Sequence, residues 1–209
     1  MTTTKRLTRD EQRARTRARL IASARTVFAR RGYHRASLED ISEEAGYSTG
    51  AIYSNFDGKE DLFLAVLERH VADRVEAVHR AVAAASTPAE RVRAAADDWM
   101  RFLREDPDWY PLFIEFWAYA VRDPQLRDQV AERFRVILDN NAGLVRARAE
   151  ELGVPVTDEV VAMGGLYVTA LADGLALIKL LDPGAVPDEF LADAMSGLAA
   201  VRPGVGDAG

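Results

Sequence analysis

The sequence predicts an all-α fold of about nine helices, and three observations predict it. Apolar residues recur at three- and four-residue spacing along most of the 209 residues, the period that lines one face of an α-helix. No stretch alternates apolar and polar residues with the β-branched side chains and hairpin turns of a strand. Between the periodic segments stand helix punctuators, with Ser, Thr or Asp on the leading side and Gly or Pro on the trailing side.

The first helix runs from about Asp10 to Arg31, with Leu20, Ile21, Ala24, Val27 and Phe28 on one face and Gly32 suited to its C-terminal cap. Ser37-Leu38-Glu39-Asp40 forms a capping box for a short second helix, which turns Leu38, Ile41 and Ala45 inward and ends at Gly46. Ser48 or Thr49 caps a third, burying Ile52 and Phe56. Asp57-Gly58 then turns the chain into a long fourth helix carrying Leu62, Phe63, Val66, Leu67, Val71, Val75 and Val78. A fifth spans Pro88 to about Arg104, with Val92, Ala95, Trp99 and Phe102 on its apolar side. Asp106-Pro107-Asp108 breaks it, and "WYPLFIEFWAYAV" forms an aromatic sixth. Asp123-Pro124 starts a seventh, to about Leu152, with Leu126, Val130, Phe134, Ile137, Asn141 and Leu144 along its stripe. Thr157 caps an eighth that runs to Leu181 and is apolar on nearly every face. A ninth, from Asp188, presents Phe190, Leu191, Ala194 and Leu198, and "RPGVGDAG" reads as a flexible tail. The expected division is an N-terminal arm and head over residues 1–58, a body over 59–200 and the tail over 201–209.

Composition narrows the function. The chain is 48% hydrophobic, enough for a sizeable core. It has no cysteine, which removes disulfides, thiol nucleophiles and Cys-based zinc sites. No apolar run near the N-terminus resembles a signal peptide, and the longest uncharged run, Val160 to Ala172, is 13 residues and is closed by Asp173. These features predict a cytoplasmic protein with no membrane partner. Net charge is −6, yet residues 1–60 hold 12 Lys+Arg against 8 Asp+Glu, while the rest holds 15 against 25. A basic first quarter on an acidic remainder points one end of the molecule at a polyanion. No metal, cofactor or catalytic residue is expected: His70 and His79 stand on opposite sides of one helix, and neither a nucleophile motif nor a phosphate-binding glycine loop is present.

Three compact helices, with a short second, a Gly-containing turn and a polar third, describe a helix-turn-helix. The third helix would then lie in the major groove of DNA. Lys59 stands in the first turn of the fourth helix, where the helix dipole disfavours a cation; a DNA phosphate, attractive to lysine and helix amides alike, resolves that conflict. Ser37 offers a hydroxyl to another phosphate, Tyr53 a phenol, and Gly50 and Ala51 let the backbone approach the groove.

"GYHRASLEDISEEAGYSTGAIYSNFDGKEDL" resembles the DNA-binding signature of the tetracycline-repressor (TetR) family of bacterial regulators. The matching features are Gly32-Tyr33, Ser37, Asp40-Ile41, Ala45-Gly46, Ser48, Gly50, Ile52-Tyr53, Phe56, Lys59-Glu60 and Leu62. The resemblance implies a homodimer whose heads bind a double-stranded operator and whose body takes a small-molecule effector that releases it. By position it implies Thr49, Gly50, Ala51 and Asn55 facing bases, and Ser37, Ser48, Tyr53 and Lys59 on phosphates. The sequence departs from the usual pattern at Tyr47, Ala36 and Glu39, the last expected on a solvated face. A helical adaptor without DNA, or an activator in place of a repressor, are the alternatives.

In the body, nine of the 17 aromatic residues fall between Trp99 and Phe134. The fifth to seventh helices are read as lining an apolar, aromatic pocket with Trp99, Phe102, Phe113, Trp117, Phe134, Asn141 and Tyr167; a plain hydrophobic core looks the same in sequence. An eighth helix apolar all round must be covered on all sides. The family's dimer, built from the eighth and ninth helices, makes Val168, Leu171, Leu175, Ile178, Phe190, Leu191 and Leu198 the interface residues, with Gly164-Gly165 allowing a partner helix to approach.

Overall fold

A computed structural model describes residues 8–200, with side chains through residue 196. Among the described residues there are nine α-helices and no strand: α1 Arg9–Arg31, α2 Leu38–Ala45, α3 Thr49–Tyr53, α4 Lys59–Ala83, α5 Pro88–Glu105, α6 Trp109–Ala120, α7 Pro124–Glu151, α8 Asp158–Leu181 and α9 Phe190–Ala200. The all-α expectation holds. Residues 1–7 of the N-terminal arm and the 201–209 tail lie outside the described residues.

The caps explain most boundaries. Ser37 and Asp40 form the expected capping box, as do Thr8 with Glu11 and Thr87 with Glu90. The Ser37 and Ser86–Thr87 backbone N–H groups hold the carboxyls of Asp40 and Glu90 below the ordinary range. Gly32 (φ +77°) and Gly46 (φ +70°) end α1 and α2 in backbone conformations that side chains resist.

The chain divides into two compact units. The first comprises the chain through His70 together with Pro111–Val130. Its core gathers Leu20, Val27 and Phe28 of α1, Ile41 of α2, Ile52 of α3, Leu62 and Phe63 of α4 and Phe116 of α6, all fully buried. Phe63 stacks on Phe116 with centroids 3.9 Å apart and meets Phe28 and Tyr33 edge-on, each at 5.2 Å.

The second unit comprises Val71–Tyr110 and the chain from Ala131 onward. Ala96 and Met100 of α5, Leu175 of α8, Val186, and Leu191 and Ala192 of α9 form its core, flanked by Trp99, Leu103, Leu171 and Met195. α7 and α8 cross at Gly165, where a Cβ would lie 2.7 Å from the Ala142 nitrogen and 2.9 Å from the Leu138 carbonyl oxygen. A Cβ on Gly164 would meet the Val145 side chain at 2.9 Å. This glycine pair therefore admits α7 of the same chain, where the sequence suggested a partner helix. Asn141 Nδ2 donates to Thr169 Oγ1 (2.9 Å), which donates to the Gly165 carbonyl (2.9 Å).

The residues expected at a dimer interface divide by face. Leu175 and Leu191 lie in the core, with Leu171 packed against it, and Val168 is half-buried. Leu171, Leu175 and Leu191 thus pack within the chain's own second unit, an inward side that helices apolar on most faces do not announce in sequence. Ile178 and Phe190 are exposed, and the Leu198 side chain lies outside the described ones. The outward face of α8 instead presents Val160, Met163, Tyr167, Leu177, Ile178 and Leu181. α8, at 24 residues, is also long and apolar enough to cross a membrane by length and composition, which a count of uncharged residues understated; Asp173 and Lys179 lie within it.

Candidate nucleic-acid interface

α2 and α3 pack across the Gly46 turn, fastened by side chains from α1. Arg19 Nε donates to the Ala45 carbonyl at 2.8 Å. The Arg17 guanidinium sits 4.3 Å from the centroid of the Phe56 ring and reaches the Asn55 carbonyl at 3.5 Å. These two arginines hold the motif together, a role that their position in the sequence does not reveal.

The sequence-selected residues fall into three groups. Ser48, the N-cap of α3, makes no side-chain capping bond, and it is exposed together with Gly50 and Tyr53, the last at 62%. Ala51 is half-exposed beside them, and the nearest atom to a Cβ on Gly50 would be Ser48 Oγ at 3.6 Å. This surface is open to a groove, and a phenol standing out of a five-residue helix has no packing role of its own.

Thr49 and Asn55 are tied inward. Thr49 Oγ1 shares a hydrogen bond of 3.2 Å with Ser42 Oγ, a buried hydroxyl. Asn55 Nδ2 donates to the Ala51 carbonyl at 2.8 Å, and its Oδ1 is buried without a hydrogen-bond partner. Thr49 thus fastens α3 to α2, and Asn55 closes the end of α3 from within.

Ser37 and Lys59 flank the start of α2. Ser37 Oγ accepts from the Asp40 amide at 3.1 Å, leaving its own proton to donate. Lys59 Nζ donates to the His34 carbonyl at 3.1 Å and lies 4.6 Å from the centroid of the Tyr33 ring. Burial lowers its pKa, opposed by the charge of Glu115. One ammonium proton is engaged; the half-exposed group retains two. Glu39 is exposed, on the solvated face expected of it.

The residues selected for a pocket belong to both units. Phe113 and Trp117 stack on each other at 5.7 Å in the first unit, and Trp117 is exposed. In the second unit Trp99, Phe102 and Tyr110 form a ring cluster with centroids 5.4 to 6.4 Å apart. Phe134 and Asn141 are half-buried, and Tyr167 stands on the outward face of α8 at 58% exposure. Sequence reasoning takes Asp173 as a polar group of the pocket but misses its partner Tyr110 and the charges of Asp98, Arg74 and Arg101. The Tyr110 hydroxyl donates to Asp173 at 2.7 Å, Asp98 pairs with both Arg74 and Arg101, and the Trp99 indole N–H is buried without an acceptor.

Burial pushes the Asp173 carboxyl above its ordinary range, and the Tyr110 phenol is raised by burial and by the Asp173 charge. The folded chain thus holds the Asp173 proton more tightly than the unfolded chain does. Its contribution to stability is full below the ordinary carboxylate pKa and falls as pH rises through that range toward the raised value. Asp173→Asn is expected to abolish this fall, so that urea midpoints across the acid-to-neutral range favour the variant increasingly with pH. Parallel curves would contradict it.

Residues 20–66 match the sequence model of bacterial regulatory proteins of the tetR family, and residues 88–203 that of the BetI-type transcriptional repressor C-terminal region. The chain is 38% identical over 125 residues to the HTH-type transcriptional activator FasR of Mycolicibacterium smegmatis, covering 60% of this chain and only 54% of that protein. It is 32% identical to the HTH-type transcriptional repressor AcnR of Corynebacterium diphtheriae over 63% of this chain and 68% of the repressor. Its fold matches the regulator FadR of Bacillus subtilis, solved in complex with stearoyl-CoA, with TM-score 0.67 at 17% identity over 87% of this chain and 96% of that one.

Proposed function

Because the chain belongs to the tetR family of bacterial regulatory proteins, and is a transcriptional regulator rather than an enzyme, we propose that it is a ligand-responsive repressor that binds a near-palindromic operator as a homodimer in the cytoplasm. The observation that carries this reading is the exposed surface of α3, with Ser48, Gly50, Ala51 and Tyr53 free to meet a duplex, together with the Lys59 ammonium by the start of α2. Residues 1–58 serve as the reading head and 59–200 as the body that dimerises and takes the effector. Gly50, Ala51, Thr49 and Asn55 face bases, Thr49 with the methyl and the hydroxyl capacity that its one bond to Ser42 leaves over. Ser37, Ser48, Tyr53 and Lys59 hold phosphates.

The outward stripe of α8 supports the dimer. Val160, Met163, Tyr167, Leu177 and Leu181 follow the spacing of a helix–helix seam, and Phe190 of α9 is exposed as well. A partner helix covers such a stripe while leaving Lys179 in contact with the Val186 carbonyl; a bilayer would strand Asp173 and Lys179. The aromatic cluster of Trp99, Phe102 and Tyr110 supports an apolar or aromatic effector, and the ligand solved with the FadR relative makes a long-chain acyl thioester the first class to try. The effector acts through a difference in its affinity for the two head spacings.

Lys59→Ala tests the phosphate assignment. The variant is expected to bind every duplex more weakly and to lower the salt slope by about one unit. Binding measured over a potassium chloride series decides it, and an unchanged slope sinks the assignment. The repressor reading is tested by titrating acyl-CoA, free fatty acid or buffer into the complex of the full chain with a duplex it has selected. Release by one ligand supports the reading; retention of DNA against all of them leaves a regulator without an acyl effector.

A further inference from the structure

The turn between α1 and α2 is held by groups from two later helices. Glu115 of α6 accepts the Tyr33 N–H on Oε2 at 3.0 Å and the His34 N–H on Oε1 at 2.8 Å. Lys59 of α4 donates to the His34 carbonyl at 3.1 Å and covers the Tyr33 ring. The Tyr33–His34 dipeptide is thus held through its amides by an anion and through its carbonyl by a cation. Gly32 makes room for this arrangement: its φ of +77° and a virtual Cβ 2.6 Å from Glu115 Oε2 leave no place for a side chain. The rings of Tyr33 and Phe116 meet edge-on at 4.9 Å and fix α6 beside the turn.

From this turn the geometry passes directly to the DNA-reading helix. Ser37 caps α2 three residues after His34, and Asp40 is paired with Arg31 of α1 at 2.8 Å. α2 then fixes α3 through the Ser42–Thr49 hydroxyl pair. We infer that Glu115 is a positioning residue for DNA recognition. Its carboxylate sets the path by which the chain leaves α1, and through α2 the placement of α3, so the head reads DNA only while α6 keeps Glu115 on these two amides. The chemistry requires a carboxylate. Two oxygens accept two consecutive N–H groups in charge-assisted bonds, whereas a glutamine turns an NH2 donor against one of them. This role rests on the chain's being a DNA-binding regulator; it does not depend on the effector or on its identity.

The test uses the full chain, with Glu115→Gln as the first variant. Amide hydrogen exchange at Tyr33 and His34 is followed by NMR, and affinity is measured for a duplex that the wild-type protein selects from a random library. The variant is expected to exchange these two amides at least about tenfold faster and to bind the selected duplex about tenfold more weakly or worse, with helicity and the exchange of the α8 amides unchanged. Glu115→Asp, which keeps the charge and draws the carboxylate back from the two amides, is expected to reproduce both changes, and it carries the test if the glutamine variant does not fold. Faster exchange with unchanged affinity and unchanged preferred sequence would make Glu115 structural only and overturn the proposal. Unchanged exchange would overturn the contact itself. Failure of both variants to fold would mean that Glu115 holds the fold and does not tune it. A wild-type protein that enriches no duplex contradicts DNA recognition as a whole, an outcome visible without either variant.

Discussion

With Met163 and Ile178 both replaced by glutamate, the protein is expected to be a folded monomer that binds its operator about 10²- to 10⁴-fold more weakly, the loss that follows when two linked heads become independent. Both side chains stand on the outward face of α8, 45% and 47% exposed, and neither belongs to the core that Leu175 and Leu191 build with α5. The substitution therefore leaves each chain's own packing alone and acts on whatever covers the stripe. Burying a carboxylate without a partner in a helix–helix seam is strongly disfavoured. Sedimentation of wild type and variant at micromolar concentration, followed by DNA titration, separates the cases. A variant that remains dimeric would move the interface elsewhere; a wild-type monomer would remove the dimer from the account.

Gly165→Ala is expected to destabilise the second unit by about 1–3 kcal/mol or more, as overpacking does, even though alanine gains about 1 kcal/mol over glycine in a helix interior. The added methyl meets backbone, 2.7 Å from the Ala142 nitrogen and 2.9 Å from its Cα, and backbone has no rotamer to yield. α7 and α8 must separate, which also strains the bond between Asn141 and Thr169. Gly164→Ala meets only the Val145 side chain and is expected to cost less. Gly143→Ala, with nothing within 4 Å of its Cβ, is expected to stabilise. Urea midpoints of the three variants should rank 143, 164, 165 from most to least stable. Equal midpoints would mean that the helices are not in backbone contact at Gly165.

Helices and caps were legible because their causes are local: Ser37 and Asp40 lie three residues apart, and the apolar stripes of α1, α2 and α4 repeat within a few turns. The exposed part of the site was legible for a related reason. Ser48, Gly50 and Tyr53 have no apolar task on a helix as short as α3, so their chemistry shows. Faces that depend on partners distant in sequence were not. α8 is apolar on most sides, and nothing in its own residues says that Leu175 packs on α5 while Met163 faces outward. The tethering of Thr49 by Ser42 depends on how α2 and α3 pack, and the inward turn of Asn55 on a helix end being closed from within. Glu115 was invisible for the same reason. It reads as one charge in an aromatic helix until the fold brings it to amides 81 and 82 residues away.

A twofold dimer in which each α3 reads one half-site must select a two-part DNA sequence. The decisive measurement is selection of bound duplexes from a random library by the full chain, with a Tyr53→Ala/Lys59→Ala chain as control. The expected product is a near-palindromic site with half-sites about one helical turn apart, ~34–36 Å, or somewhat more, and its loss in the control. A folded, dimeric wild-type protein that enriches no sequence, or a control that recovers the same palindrome, would contradict that reading.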